Sequence, residues 1–211
     1  MEELGFSPNN NQKGIAANAI YYMTSKSHRV QRMIVSFPPG HGKSRIVPTF
    51  IKTMSLLGNS VYAKVLFLHE EQMKDDFPLI EKLVKDAGDF ELEAEVVGDD
   101  GKNYDVPAAK KGKAMMPLLL VDEVDSVLLD KRCTFGQEWF VLGLTACERE
   151  DYSAAEIQYI EQTANFTLKE SNVQDLLPQH DIRKNATNLD DFVSANASKH
   201  ALMFYIDAAD T

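Results

Sequence analysis

Between Arg32 and Ser44 the chain reads Arg-Met-Ile-Val-Ser-Phe-Pro-Pro-Gly-His-Gly-Lys-Ser. An aliphatic run, a Pro/Gly turn and the opening of a helix follow one another without a spacer. A strand that passes straight into a helix cannot fold back on its sequence neighbour through a tight hairpin. It belongs to a crossover unit, and such units build parallel sheets covered by helices. The remaining pattern agrees. Strand-like runs at Arg32–Phe37, Val65–Leu68, Glu93–Val97, Leu118–Val121 and Trp139–Leu144 alternate with helical spacing at Gln12–Ser25, Gly42–Leu57, Asp75–Ala87 and Ala154–Gln162. The expected fold is α/β, a mainly parallel sheet flanked by helices.

Composition narrows the function classes. The 211 residues are 44% hydrophobic and 26% charged, the balance of a chain that folds around a core. The most apolar stretch, Met115 to Val121, is too short to span a bilayer, and the acidic, then polar N-terminus lacks the order of a secretion signal. A cytoplasmic protein with no membrane segment is expected. Cys133 and Cys147 have no metal-ligand spacing and read as reduced thiols. A formal net charge of −10 disfavours RNA or DNA as a tightly held partner, although it leaves room for a local basic groove. The cluster Lys110, Lys111 and Lys113 reads as a solvated loop rather than as that groove.

The turn after the first strand carries the clearest chemistry. In Pro39-Gly40-His41-Gly42-Lys43-Ser44-Arg45 the glycines let backbone N–H groups face an anion, and the following helix adds its positive end. This is the context of a phosphate-binding loop for ATP or ADP. Lys43 would reach the β- and γ-phosphates and Ser44 would offer its hydroxyl to Mg²⁺, with Arg45 completing the segment. The position usually held by a first glycine is Phe37. Leu118-Leu119-Leu120-Val121-Asp122-Glu123-Val124-Asp125 then delivers carboxylates at the end of a buried strand. Asp122 suits the metal and Glu123 suits the attacking water.

These two motifs, with Leu142-Gly143-Leu144-Thr145-Ala146 after a third strand, resemble the first RecA-like lobe of superfamily-two helicases and translocases. The resemblance covers roughly residues 5–147. It implies a P-loop ATPase in which Thr145 couples nucleotide state to motion. It also implies that Gln12, at the end of a segment similar to a Q motif, reads the adenine edge. The stretch from Val121 to Asp130 is also similar to the SecA preprotein translocases, which implies an unfolded polypeptide as the alternative track. A second RecA-like lobe or partner subunit would supply the arginine finger, so turnover by this chain alone is expected to be weak.

Departures point to a third alternative, a nucleotide-binding interaction module without turnover. Cys147 stands where the family has a second hydroxyl, the interval between Lys43 and Asp122 is short, and Glu70-Glu71-Gln72 replaces a phosphate-gripping motif. By domain, 1–170 is the expected ATP-binding lobe and 171–200 a linker and helix, with 201–211 the start of a second lobe or an added strand.

Overall fold

The computed structural model describes Gln12, Ala16, Ala19, Ile20, Met23 and residues 31–36, 42–56, 60–85, 89–98, 100–111, 114–147, 151–163 and 167–168. The expected linker, its helix and the strand at 201–206 lie outside these residues.

The expected α/β class is met by a six-stranded sheet, all of whose neighbours are paired parallel. Its strands are β1 (Arg32–Ser36), β2 (Val61–Phe67), β3 (Phe90–Val96), β5 (Met116–Val121), β7 (Phe140–Thr145) and β8 (Thr167–Leu168). Their order across the sheet is β3-β2-β5-β7-β1-β8. A second, two-stranded sheet pairs β4 (Asn103–Tyr104) with β6 (Thr134–Phe135).

Each central strand is apolar on both sides, and its residues alternate between two cores. Val61, Ala63, Val65, Leu118, Leu120, Leu142 and Leu144 enter one core. Tyr62, Leu66, Leu119, Val121 and Val141 enter the other. The first is closed by α1 (Ile46–Leu56) and α2 (Glu70–Val84), together with Ala16, Ala19, Ile20 and Met23 of the N-terminal helical residues. In α1 the apolar Ile46, Val47, Phe50, Ile51 and Met54 share one buried face. Thr49 and Thr53 are buried there too, because their hydroxyls donate to the carbonyls of Arg45 (2.7 Å) and Thr49 (2.8 Å). The second core is closed by Val124, Val127 and Leu128 after β5, and by Tyr159 and Ile160 after α3 (Ala154–Gln158). Ser153 caps α3 in a reciprocal box with Glu156.

Several elements depart from their sequence limits. β2 starts at Val61 rather than Val65, because Tyr62 and Lys64 find partners in Glu93 and Glu95 of β3. α2 starts at Glu70 rather than Asp75, with Glu70 and Glu71 in its positive first turn, and carries Pro78 on its exposed side. Ser126–Asp130 forms one widened turn in which the Lys131 amide donates five residues back to the Ser126 carbonyl at 3.0 Å. The short β4, β6 and β8 carry no apolar period of their own.

The loop of Lys110 and Lys111, read from the sequence as solvated, is tied to its neighbours by ion pairs. The acidic face of β3 meets it: Glu91 pairs with Lys110, and Glu95 with both Lys64 and Lys102. Lys111 pairs with Glu138 at 2.9 Å, while Lys102 and Lys110 lie over the rings of Tyr104 and Tyr62. Lys113 is outside the described residues. Trp139 is fully buried, stacks on Tyr62 and donates its indole N–H to the Tyr104 carbonyl at 3.0 Å. Buried Arg32 donates to the carbonyls of Phe135 and Gly136, each at 2.8 Å. These bonds pin the excursion between β3 and β7 without an apolar period.

Gly143, within β7, lets Val124 pack directly against the sheet. A Cβ there would stand 2.7 Å from both γ-carbons of Val124. Gly143→Ala is therefore expected to lose about 1–3 kcal/mol by overpacking, and Val124→Ala in the same chain should recover part of it. Urea denaturation of the two single variants and the double variant checks this; additive losses would show that the two side chains do not meet.

Candidate functional site

The route of the chain creates a crevice. After β1 it passes the places later taken by β7 and β5 to reach β2 and β3, then returns through β5 and β7 to β8 on the far side of β1. The connections after β1 and β2 pack on one face, those after β5 and β7 on the other. Loops that part to opposite faces leave an opening outside the carboxyl ends of the strands. Lys43 follows β1, Asp122 and Glu123 follow β5, and Thr145 closes β7.

Lys43 and Asp122 meet there. The Lys43 ammonium lies 3.0 Å from Asp122 Oδ1 and 3.6 Å from Glu123 Oε1. Asp122 is only 4% exposed, so its charge needs compensation, and every contact to it is a donor. The Glu123 amide donates to Oδ1 at 3.0 Å and the Gln72 side-chain amide donates to Oδ2 at 2.5 Å. The Asp122 amide itself donates to the Leu66 carbonyl at 3.3 Å, fixing the strand end to β2. Glu123 has a left-handed backbone, φ 52°, an uncommon state for a residue with a Cβ. The half-turn it makes keeps its own carboxylate at the mouth while Asp122 stays inside.

Gly42 also has a left-handed backbone, φ 81°, and a Cβ there would stand 2.6 Å from Gln12 Nε2. Gln12 is buried and donates to the Gly42 carbonyl at 3.0 Å, so this amide holds the turn before Lys43. Lys43–Arg45 form a single tight turn that runs into α1, with Ser44 and Arg45 exposed. Pro39, Gly40 and His41 lie outside the described residues, as do Phe37 and Pro38. At the end of β7, Thr145 Oγ1 accepts from the Cys147 amide at 3.0 Å and lies 3.2 Å from the Tyr152 hydroxyl. Burial and the neighbouring Asp125 push the Cys147 thiol up from its ordinary pKa.

Two residues that sequence reasoning missed belong to this crevice. Gln72 was legible only as part of an acidic segment unsuited to phosphate, and nothing local says that α2 aims it at Asp122. Asp76, one turn further along α2, is held above the ordinary carboxyl range by burial, then by the charges of Asp122 and Asp75.

Two residues of the segments after β1 and β5 carry hard oxygen donors, Ser44 and Asp122. Among the described residues no group of three or more His, Cys, Asp and Glu could hold a metal ion by itself. The Ser44 hydroxyl and the Asp122 carboxylate are hard oxygen donors, and Mg²⁺ commonly takes one or two carboxylates with the rest from water and phosphate. In this structure the Lys43 ammonium neutralises the Asp122 carboxylate.

No protein-family model, curated protein or solved structure matches the chain. No helix among the described residues is long and apolar enough to cross a membrane.

Two outcomes follow from the geometry. Asn tolerates the left-handed region better than Glu, so Glu123→Asn should leave stability unchanged or raise it by up to about 1 kcal/mol. A loss of that size in a thermal melt would mean that the Glu123 pairing outweighs its backbone strain. Asp76 with a raised folded pKa destabilises the fold in its charged form, above the ordinary carboxyl pKa, and ceases to do so once protonated. Asp76→Asn should therefore raise the melting temperature at pH 7, and the difference should shrink as pH falls through the raised pKa toward 3.8. Melts of both proteins across pH 3–8 test the sign.

Proposed function

We propose that this chain is a Mg²⁺-dependent ATP-binding and ATP-hydrolysing motor lobe of the RecA-like type. The observation that carries the reading is the Lys43–Asp122 contact of 3.0 Å between residues that follow β1 and β5, strands that are not neighbours. Such a contact needs β7 between them and both side chains at the carboxyl edge. A cation after one strand and a buried carboxylate after the other are the two groups that nucleotide hydrolysis requires.

Each residue then has a task. Lys43 exchanges carboxylate oxygens for β- and γ-phosphate oxygens, so its charge is matched with or without nucleotide. Ser44 and Asp122 would hold Mg²⁺, which neutralises charge developing on the phosphates. Glu123, at the mouth and 44% exposed, orients the attacking water. Gln12 and Gly42 keep the turn open to the backbone approach that Pro39, Gly40 and His41 would complete, with Arg45 at its outer end. Thr145 would relay the presence of the γ-phosphate through Tyr152 and the Cys147 amide to a second lobe. That second lobe or a partner subunit supplies the arginine finger.

One observation favours a polypeptide track over RNA or DNA. Lys110 and Lys111 are ion-paired with Glu91 and Glu138, which offsets the charge these two lysines could offer a phosphate backbone. A SecA-like translocating lobe is therefore the second reading. Stimulation of ATP turnover by unfolded polypeptide, and none by RNA or DNA, would select it.

Calorimetric titration with Mg²⁺ and ATP tests the first reading. Lys43→Ala should abolish binding and Asp122→Asn should weaken it when Mg²⁺ is present. Equal affinity of the Lys43→Ala variant and the wild-type chain would overturn the proposal, provided that a melt shows the variant folded.

A further inference from the structure

We propose that Gln72 is a positioning residue that orients the Asp122 carboxylate for the metal. The inference rests on the crevice being the nucleotide site.

A carboxylate can turn about its last torsion, whose energy profile is broad, so burial alone does not orient its oxygens. Asp122 is oriented by unequal partners. Oδ2 accepts from Gln72 Nε2 at 2.5 Å, whereas Oδ1 faces the Glu123 amide at 3.0 Å and the Lys43 ammonium at 3.0 Å. The Gln72 bond therefore occupies the oxygen turned toward α2, and Oδ1, which accepts from the Glu123 amide and from Lys43, faces the β1 side, where a metal would take the place that Lys43 leaves on turning to the phosphates. Gln72 lies in the first turn of α2, and this helix is seated on α1 and on the core below β2. Its position is thus set by packing rather than by the crevice.

The chemistry of the side chain fits this role. An amide donates a hydrogen bond without adding charge, so Asp122 keeps its full negative charge for a cation. A lysine or arginine at the same place would compete with the metal. A glutamate would face Asp122 with like charge, as Asp76 already does at longer range. Partners that orient a metal ligand in this way contribute on the order of 10- to 100-fold in metal affinity.

Two variants remove the donor while keeping an apolar stem, Gln72→Met and Gln72→Leu; melts establish which is folded. ATP affinity is measured by calorimetry in EDTA, where binding is weaker than with Mg²⁺ but still rests on Lys43, and Mn²⁺ affinity of the ATP-loaded chain by the electron paramagnetic resonance signal of free Mn²⁺. The expected result is Mn²⁺ binding weakened about 10- to 100-fold with metal-free ATP affinity within about twofold of wild type. A side chain that merely supports the fold would lower the melting temperature and leave the Mn²⁺ affinity where it was. That outcome in either folded variant overturns the inference and leaves the nucleotide site standing, provided that ATP binding still depends on Lys43. ATP binding that survives Lys43→Ala, or no ATP binding by the wild-type chain, removes the nucleotide reading and this one with it.

Discussion

The β5–β7 pair at the centre of the sheet is buried on both sides, and the rest of the molecule follows from that requirement. Leu118–Val121 and Phe140–Leu142 offer apolar side chains to both faces, so neither face can be left to water. Covering both obliges the chain to send some connections over one face and some over the other. The change of side falls between β1 and the strands that return toward it. The crevice at their carboxyl ends is therefore a consequence of core burial, and it exists before any side chain in it is chosen.

Within the crevice, electrostatics continues the argument. A carboxylate as buried as Asp122 persists only with donors around it, and Lys43, Gln72 and the Glu123 amide meet that demand from three directions. The arrangement is self-satisfied yet exchangeable. In the nucleotide-binding reading proposed above, the ammonium would trade these carboxylate oxygens for phosphate oxygens and keep its charge matched in either state. The left-handed Glu123 is the local cost of placing one carboxylate inside and the next at the mouth.

The segment between β3 and β5 has a different logic. Its anchors are charge pairs and ring contacts: the β3 glutamates face lysines of the loop, and Trp139 donates to the Tyr104 carbonyl. Alternation of Glu with Leu and Ala in Phe90–Val96 is the usual mark of a strand with one wet face. Here that face is partly covered, because lysines from elsewhere in the chain pair with Glu91 and Glu95.

The α/β class, the mainly parallel sheet and the strands at Arg32–Ser36, Met116–Val121 and Phe140–Thr145, each within about two residues of its expected limits, were legible in the sequence, and so was the interest of Lys43, Asp122 and Glu123, though not their ion pairing. Each rests on a local pattern: apolar runs that end in a turn, glycines before a lysine, carboxylates after a buried strand. The early start of α2 and the widened turn at Ser126–Asp130 rest on local bonds that no apolar period marks, and the short β4, β6 and β8 were not legible, since strand partners distant in sequence stabilise them. The same holds for the bond from Gln12 to Gly42 and for Gln72 at Asp122. Period and motif thus determined which residues carry charge to the ends of which strands. Tertiary packing alone decided which of those charges meet and what orients them, because a hydrogen bond between residues 50 apart depends on where two helices and a strand come to rest.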